Sequence, residues 1–496
     1  MNRNVLNFDS CYRAVTSRDA RFDGRFFTAV TSTGIYCRPI CPARTPARRN
    51  VRFFAAAAAA EGAGFRPCKR CRPEASPGSP DWDVRGDLIG RALRLIDDGV
   101  VDDFGVRGLA RRLAVTERHL HRLFVAELGV PPLAVARNRR LRLARRLLAE
   151  THMPVTDVAF ASGFGSVRQF NASMRETYGQ APSELRGVGR GFGRPATLEL
   201  RLAVRRPYDS GSLLAYLAAR AIPGVEKVTA DRYVRTIATA TGAAPAGASD
   251  AGSGTETEVG TIELIPRDDH VLLRAGAPSP RGVASLVARC RRMFDLDADP
   301  WAVDDALAAD PLLAPLVSAR PGLRVPGAFD GFELAVRAVL GQQVSVAGAS
   351  TLTGRVVARC GTSRTPGSAG TGPSYLFPTA ARLADADLSR LGLTGGRQRT
   401  LRALAAAVAA EEIDLNGGAE PGETADRLMA LPGIGPWTVS YIAMRALGDP
   451  DAFPATDLGL RRAFDALGAS EPALAQRAER WRPWRAYAAM HLWTSH

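Results

Sequence analysis

The stretches Cys37-Arg38-Pro39-Ile40-Cys41 and Cys68-Lys69-Arg70-Cys71 decide how the first part of the chain folds. Two close cysteine pairs can supply four thiolates to one tetrahedral Zn²⁺ ion. Because the surrounding segment is too small to hold itself together by apolar burial alone, we expect the metal to organise it. The spacing therefore predicts a zinc site made by Cys37, Cys41, Cys68 and Cys71. By itself it favours a site whose only role is structural.

The excess of positive charge points to the kind of partner. A formal net charge of +15 and a pI of about 10.2 favour a polyanion, either nucleic acid or an anionic membrane surface. No uninterrupted apolar run approaches the roughly 20 residues of a spanning helix, and we expect no membrane partner. The polar N-terminus lacks the apolar stretch of a secretory signal. We therefore expect a cytoplasmic protein that binds nucleic acid.

Composition and periodicity divide the 496 residues into several domains. Two Gly- and Pro-rich segments, 72–80 and 187–195, are predicted linkers, and two polar segments, 242–258 and 361–374, are predicted disordered surface loops. Apolar residues at helical spacing predict helices over 106–115, 117–128, 131–150, 155–161 and 167–178, with Thr116 and Ser166 as N-caps. Strands are predicted at 198–204, 260–265 and 270–274, and helices return from about residue 304.

The residues around the cysteines carry a resemblance. Thr33-Gly34-Ile35-Tyr36 precedes Cys37, Asn50-Val51 follows the first pair, and Gly64-Phe65-Arg66-Pro67 precedes Cys68. Over roughly the first 75 residues this sequence resembles the N-terminal domain of the Ada family, which repairs methyl phosphotriesters in DNA. The resemblance implies that Cys37 is both a zinc ligand and the methyl acceptor.

The chemistry of zinc-bound thiolates explains how Cys37 could accept a methyl group. Zinc keeps a thiol ionised near neutral pH, and the thiolate is the nucleophile. Four thiolates on Zn²⁺ carry a formal charge of −2, which becomes −1 when one of them is methylated. Less repulsion then opposes contact between the DNA backbone and the nearby cations, which are Arg38, Arg44, Arg48 and Lys69. We therefore expect a single-use methyl acceptor that also acts as a chemical switch.

The predicted helices between the linkers form two helix-turn-helix pairs, and the second helix of such a pair enters the major groove of DNA. Residues 106–190 hold 15 arginines against 6 acidic residues, although a solvated helical bundle is an alternative. The motifs Leu109-Ala110-Arg111-Arg112-Leu113-Ala114 and Val158-Ala159-Phe160-Ala161-Ser162-Gly163-Phe164 resemble the AraC-type transcription-factor domain. The candidate DNA contacts on the recognition helices are His119, Arg122, Arg168 and Gln169.

The segment Leu431-Pro432-Gly433-Ile434-Gly435-Pro436-Trp437-Thr438 between two helical patterns is a helix-hairpin-helix signature. Gly433 and Gly435 let the backbone turn tightly and direct its N–H groups at a DNA phosphate. The motif is a DNA-backbone clamp that many non-enzymes also carry. Asp457 follows it, and a lone aspartate that opens a helix is most often an N-cap.

From about residue 198 to the end, the chain resembles the AlkA-type 3-methyladenine DNA glycosylases. The resemblance is carried by Arg206-Pro207-Tyr208-Asp209, Val339-Leu340-Gly341-Gln342-Gln343-Val344-Ser345-Val346 and Arg480-Trp481-Arg482-Pro483-Trp484. It implies that Asp457 stands beside a flipped nucleotide and that Gln343 fills the gap left in the duplex, where the best-known members have an apolar wedge. It also implies an aromatic pocket for the alkylated base made by Tyr216, Trp437, Tyr441 and Trp493, although core packing is an alternative for Tyr216.

Three features that the sequence lacks exclude particular reactions and cofactors. Glycosylases that also nick the strand use a lysine amine just after the hairpin glycines, where this chain has Trp437. No cysteine follows Cys360, so the iron–sulfur cluster of some relatives is not expected. The Pro-Cys-His-Arg motif of guanine-O6 methyltransferases is not found. We expect a monofunctional glycosylase.

The sequence thus predicts a multidomain α+β protein. Its expected parts are an Ada-type zinc module at 1–80, an all-α AraC-type double helix-turn-helix at 84–187, a small antiparallel β/α domain at 195–303 and a helix-hairpin-helix α domain at 304–496. The expected partner is double-stranded DNA, both alkylated and promoter DNA, with RNA polymerase as a candidate partner and a monomer as the expected state. The alternative is a methylation-sensing transcription regulator whose C-terminal domain binds DNA without excising bases.

Overall fold

A computed structural model describes residues 7–19, 22, 26–41, 43–54, 57–68, 83–186, 197–240, 257–276, 281–364, 372–419, 421–468 and 473–495. Both predicted linkers, 72–80 and 187–195, lie outside these residues, and the domain boundaries stay predictions. Among the described residues, no helix is both long and apolar enough to cross a membrane.

The N-terminal module, residues 7–68, contains a four-stranded sheet in the order β3-β1-β2-β4. Its elements are α1 (Phe8–Ser17), β1 (Phe27–Val30), β2 (Ile35–Cys37), a 3-10 helix (Arg48–Asn50), β3 (Val51–Phe54), α2 (Ala57–Gly62) and β4 (Arg66–Pro67). Strands β2 and β4 run parallel with Tyr36 opposite Pro67. The next residues on the two strands are Cys37 and Cys68, so the pairing brings one thiol from each cysteine pair to the same edge.

The helical region, residues 83–186, confirms most of the predicted helices. Its elements are α3 (Asp83–Asp97), α4 (Val100–Arg112), α5 (Glu117–Leu128), α6 (Pro132–Glu150), α7 (Val155–Ala161), α8 (Val167–Tyr178) and α9 (Pro182–Leu185). Thr116 and Ser166 cap α5 and α8, as predicted, by accepting from the amides of His119 and Gln169. Within α4, Gly105 is non-helical with φ of 65°, so the element is two helices joined at a kink. The second of them begins at Val106, as predicted, and ends at Arg112, three residues before the predicted end.

The sheet region, residues 197–293, is a five-stranded antiparallel sheet in the order β5-β9-β8-β7-β6. Its elements are β5 (Thr197–Ala203), α10 (Ser210–Ala219), β6 (Glu226–Val228), β7 (Tyr233–Ala240), β8 (Thr257–Pro266), β9 (His270–Gly276) and α11 (Val283–Met293). The three predicted strands are confirmed. The loop predicted at 242–258 was wrong at its end, because residues 257–258 begin β8, and the rest of it lies outside the described residues.

The C-terminal region, residues 300–495, is helical, as predicted. Its elements are α12 (Pro300–Ala308), α13 (Ala314–Ala319), α14 (Gly331–Leu340), α15 (Val346–Cys360), β10 (Thr362–Ser363), β11 (Tyr375–Leu376), α16 (Ala380–Ala384), α17 (Gly395–Ala409), α18 (Pro421–Met429), α19 (Pro436–Arg445), α20 (Leu458–Ala466), α21 (Ala473–Ala478), a 3-10 helix (Glu479–Trp481) and α22 (Arg485–Trp493). The small hairpin β10–β11 corrects part of the loop predicted at 361–374, whose residues 365–371 are not described.

The hydrophobic cores do not follow the predicted boundaries. One core joins α6, α7 and α8 to the five-stranded sheet, and another joins α1 to α12 and α22. At the first junction, Glu150 at the end of α6 accepts a hydrogen bond from the amide of Arg201 on the edge strand β5 at 3.1 Å. Arg146 donates to the carbonyl of the same residue. The edge of the sheet is thus covered by a helix that belongs to the preceding region.

The free energy of unfolding is expected to fall in acid because of His491 in α22; this residue is 1% exposed. Burial, with the nearby charge of Arg320, lowers the pKa of His491 from 6.5 to about 4. Between these values the unfolded chain binds more protons, so the stabilising contribution is complete above pH 6.5 and is lost as the pH falls to about 4. We expect His491→Gln to remove roughly 3 kcal/mol of this pH dependence.

Urea unfolding between pH 4 and 7 would measure this effect by tryptophan fluorescence, because five of the six tryptophans lie beyond residue 300. The exposed His152 gives a matched control, His152→Gln, in which the free energy of unfolding should depend on pH as it does in the wild type. If the free energy of unfolding of His491→Gln showed the wild-type dependence on pH, His491 would not be the source of the acid sensitivity.

Candidate active site and nucleic-acid contacts

The carboxylate of Asp457 is fixed by three N–H donors. Its Oδ1 accepts from the amide of Leu460 at 2.9 Å and from the indole Nε1 of Trp493 at 2.8 Å. Its Oδ2 accepts from the indole Nε1 of Trp437 at 2.8 Å. Asp457 is therefore the N-cap of α20, as the alternative interpretation of the sequence held. The same carboxylate is also held between two tryptophans that come from α19 and α22.

The aromatic residues predicted to line a pocket form one cluster around this carboxylate. Trp437 and Tyr441 lie one helical turn apart on α19, so they share a face, and their rings stack at 5.3 Å and 11°. Trp493 meets Tyr441 at 6.2 Å and 64°. All three side chains are half-buried. Tyr216 is buried one layer deeper, with its hydroxyl 3.1 Å from that of Tyr441, so core packing describes the surroundings of its ring.

Arg445 is a residue of this cluster that the sequence reasoning missed. Its guanidinium is buried and donates to the hydroxyls of Tyr216 at 2.9 Å and Tyr441 at 2.7 Å. It also donates to the carbonyl of Pro326. Burial works against ionisation of Tyr441, yet the charges of Arg445 and Arg220 lower its pKa to about 8. One buried cation thus ties α19 to α10 and to the segment before α14.

The loop between α14 and α15 carries Gln343, which is exposed and adopts a left-handed conformation with φ of 56°. The preceding residue, Gln342, anchors this loop. Its side-chain amide donates to the carbonyl of Gly433 at 2.9 Å and to Oγ1 of Thr438 at 3.0 Å. Arg397 donates to the carbonyl of Gln342 at 2.5 Å. The motif that contains Gln342 was recognised in the sequence, but its contact with the hairpin could not be seen there.

Of the two hairpin glycines, only Gly433 adopts a left-handed backbone conformation. Gly433 has φ of 80°, and a Cβ atom there would lie 2.3 Å from Oγ1 of Thr400 on α17. Gly435 is the N-cap residue of α19, and no side chain caps that helix. Because Pro436 at the first position of α19 has no N–H group, the first amides of the helix that can face an anion such as a phosphate are those of Trp437 and Thr438.

Three of the predicted zinc ligands come together in the N-terminal module. The Sγ atoms of Cys37, Cys41 and Cys68 all lie within 4.8 Å of one another, a spacing that fits shared coordination of one zinc ion by thiolates. The predicted fourth ligand, Cys71, and the predicted DNA contact Lys69 lie outside the described residues. Cys41 and Cys68 are 8% and 9% exposed, whereas Cys37 is half-buried. Among the described thiols of the cluster, Cys37 is the most open to a reactant.

The predicted basic contacts of this module differ in their surroundings. Arg44 is exposed and Arg38 is half-buried. Arg48 is exposed but forms an ion pair with Asp9 of α1, and its guanidinium lies 5.2 Å from the centre of the Phe8 ring. An arginine that already has intramolecular partners must exchange them before it can contact a phosphate.

The predicted contacts on the recognition helices lie on the outer faces of α5 and α8. Arg122, Arg168 and Gln169 are exposed, and His119 is half-buried with its Nδ1 3.3 Å from Arg122. The turn between α7 and α8 contains Gly163, with φ of 96°. A Cβ atom at that glycine would collide with the carboxylate of Asp102, which lies 2.3 Å away. The two helix pairs are therefore in direct contact.

Comparison with known families covers most of the chain. The sequence model of the metal binding domain of Ada matches residues 10–74, and a helix-turn-helix domain model matches residues 109–187. The AlkA N-terminal domain matches residues 199–330. The HhH-GPD superfamily of base excision DNA repair proteins matches residues 336–486.

Named relatives match either the whole chain or one part of it. A Mycobacterium tuberculosis protein described as a probable bifunctional transcriptional activator/DNA repair enzyme AlkA is 47% identical over 99% of this chain and 96% of its own length. DNA-3-methyladenine glycosylase 2 of Escherichia coli is 36% identical over 58% of this chain and 94% of its own length. The bifunctional transcriptional activator/DNA repair enzyme Ada of Escherichia coli is 38% identical over 37% of this chain and 50% of its own length.

These matches and the site geometry define a DNA-binding repair protein in which an Ada-type zinc module and a helix-turn-helix region precede a helix-hairpin-helix glycosylase fold. The chain belongs to the family of bifunctional transcriptional activator/DNA repair enzymes that the mycobacterial AlkA protein represents. Zinc is the metal of the site that contains Cys37, Cys41 and Cys68.

Proposed function

We propose that the chain excises alkylated purines of the 3-methyladenine class from DNA, with Asp457 as the catalytic carboxylate. The observation that carries this proposal is the hydrogen bonding of Asp457 to two indoles at the edge of the aromatic cluster. The direct test is incubation of the purified protein with methylated DNA and measurement of released 3-methyladenine. No release above the uncatalysed rate would leave the alternative of a regulator that only binds DNA.

The proposed reaction is hydrolysis of the N-glycosidic bond. The damaged nucleotide first rotates out of the duplex. An alkylated purine carries positive charge, so the faces of Trp437, Tyr441 and Trp493 attract it by cation–π contact worth up to ~2 kcal/mol. The bond between the sugar C1′ and the base nitrogen breaks and its electron pair neutralises the leaving base. Asp457 stabilises the positive sugar or orients the water whose oxygen bonds to C1′ while its proton is released.

We further propose that excision is monofunctional. The side chain at the position of a strand-nicking lysine is the indole of Trp437, which has no amine to form a Schiff base. This indole already donates to Asp457 at 2.8 Å. Purified protein should therefore leave intact abasic strands after base release, as a denaturing gel without heat or alkali would reveal.

We propose that the N-terminal module accepts a methyl group from a DNA methylphosphotriester on Cys37. The bond between the methyl carbon and the phosphotriester oxygen breaks while the carbon–sulfur bond forms, and a phosphodiester anion leaves. The greater exposure of Cys37 relative to Cys41 and Cys68 supports this choice of acceptor. Zinc would hold the thiol in its ionised form. Arg38, Arg44 and Arg48 are the described cations proposed for the DNA backbone, and Lys69, which follows Cys68 in the sequence, is the fourth.

We infer that the helix-turn-helix region reads promoter DNA through His119, Arg122, Arg168 and Gln169 and couples methylation to transcription. Gly433 and Gly435 would hold the backbone of the lesion-containing strand, and Gln343 would fill the gap in the duplex. Domain limits of 1–80, 84–187, 195–303 and 304–496, a monomeric state, contact with RNA polymerase and a cytoplasmic location stay predictions.

Gln342 offers a test of the proposed wedge. Because its amide joins the Gln343 loop to the hairpin through Gly433 and Thr438, Gln342→Ala should let the loop move away from the DNA. We expect the single-turnover excision rate to fall about tenfold or more, since a misplacement of about 1 Å can cost about 100-fold in rate. Base flipping, followed with a fluorescent base analogue beside the lesion, should fall in parallel.

The matched control is Gln398→Ala, because the Gln398 amide also donates to a backbone carbonyl, that of Leu393, without touching the hairpin. This variant should excise at the wild-type rate. Equal rates for Gln342→Ala and wild type would show that the wedge loop needs no such anchor.

A further inference from the structure

Helix α1 belongs to the N-terminal module in sequence, yet its buried face contributes to a core of the C-terminal region. Cys11, Ala14 and Val15 share one apolar cluster with Val303 and Leu307 of α12. The ring of Phe22 meets that of Trp484 at 5.5 Å and 77°.

Polar contacts reinforce this attachment. The hydroxyl of Ser10 donates to the carbonyl of Arg482 at 3.0 Å, and the guanidinium of Arg13 donates to the same carbonyl. The face of α1 is thus both apolar at its centre and hydrogen-bonded at its edge, as stable intramolecular interfaces are.

The opposite side of α1 is fastened to the segment that follows Cys41. The hydroxyl of Tyr12 donates to the carbonyl of Pro46 at 2.9 Å, and Arg18 donates to that of Ala43 at 2.9 Å. Asp9 pairs with Arg48. Helix α1 therefore contacts the segment that follows Cys41 on one side and the C-terminal region on the other.

The attachment reaches the proposed catalytic carboxylate through a single helix. Trp484, which Phe22 contacts, is the N-cap residue of α22. The last residue of α22 is Trp493, whose indole donates to Asp457. Nine residues of α helix separate the two ends, a length of about 13 Å. A contact that holds the Trp484 end of α22 in place therefore also helps to hold Trp493 at the other end, and Trp493 in turn holds Asp457.

We propose that the buried face of α1 is an intramolecular docking surface that makes the zinc module a structural support of the glycosylase region. This inference rests on the proposed excision activity for its functional consequence, while the docking itself does not. In the docked chain the zinc-bound module holds α22, and α22 holds Trp493 against Asp457. Loss of zinc or of the docking contact then weakens excision, although neither touches DNA at the lesion.

The test compares two full-length variants on adjacent residues of α1. Val15 is 7% exposed in the docking core, whereas Thr16 is exposed. Val15→Glu places a charge in the core and should lower the single-turnover rate of 3-methyladenine release about tenfold or more. It should also raise hydrogen exchange of α22 and lower the thermal transition seen by tryptophan fluorescence by about 4 °C or more. Thr16→Glu should match wild type in all three measurements.

Measurement of bound zinc in Val15→Glu shows whether the zinc module is still folded. A second variant tests the docking contact if it is not. Ser10→Ala combined with Arg13→Ala removes the hydrogen bonds to Arg482 without placing a charge in the core, and it should give the same changes at smaller size. Removal of zinc from wild type by a chelator should lower the tryptophan transition and increase exchange of α22. The same treatment should add nothing in Val15→Glu.

Wild-type exchange of α22 in zinc-retaining Val15→Glu or in the double variant, or an unchanged tryptophan transition after chelation, would overturn the docking proposal. Base release by wild type is measured first. Its absence would refute the proposed excision activity, and the exchange and thermal data would still decide whether the module is docked.

Discussion

Asp457→Asn is expected to reduce the single-turnover rate of 3-methyladenine release by at least about 100-fold, the scale observed when one stabilising group of a transition state is removed. The amide has no charge to offset the positive sugar. One of its two positions also becomes an NH₂ donor, which cannot accept from the indole of Trp437 or of Trp493. Quantification of bases released from methylated DNA measures the loss.

The substitution should leave the fold intact, because asparagine is as good an N-cap as aspartate and can still accept from the amide of Leu460. We expect a stability loss of no more than about 3 kcal/mol, for one lost hydrogen bond to a charged acceptor. Asp465→Asn, an exposed carboxylate on the same helix, is the matched control and should keep the wild-type rate. Wild-type excision by Asp457→Asn would remove this residue from the mechanism.

Cys37→Ser is expected to abolish methyl transfer from a methylphosphotriester, because a serine hydroxyl is not ionised near neutral pH as a zinc-bound thiol is. Transfer of radiolabelled methyl from DNA to protein measures it, with at most about one methyl group expected per wild-type chain. The methylated wild type should also bind DNA more tightly, since the zinc site loses one negative charge.

Cys360→Ser provides the control, because Cys360 lies in α15, outside the N-terminal module. It should accept the methyl group at wild-type yield. Label found on Cys41 or Cys68 at wild-type yield in Cys37→Ser would contradict the choice of acceptor and would require the module to open, since both thiols are buried.

Local patterns predicted the parts of the structure that depend on local chemistry. The cysteine spacing predicted the cluster of Cys37, Cys41 and Cys68, and the caps at Thr116 and Ser166 were readable because an N-cap acts within three residues. The helix start at Val106 was readable because Gly105 breaks the pattern just before it, whereas the helical turn at Val100–Phe104 was missed because it is too short for helical periodicity to show.

Contacts between distant segments were beyond the sequence. Gln342 lies 96 residues from Thr438, and nothing in either motif indicates that the two side chains meet. Arg445 was not distinguished from other arginines, although its guanidinium joins two predicted pocket tyrosines. The attachment of α1 to α12 was hidden for the same reason, because a sequence of separate domains gives no sign of a shared core.

The covering of β5 by α6 has a practical consequence for anyone who wishes to isolate the glycosylase half. A fragment that begins near residue 197 would lack Arg146 and Glu150, which occupy the amide and carbonyl of Arg201. Its outermost strand would then offer unpaired backbone groups to a neighbouring molecule, as exposed sheet edges do. Such a fragment should self-associate more readily than one that begins before α6 and keeps this edge covered.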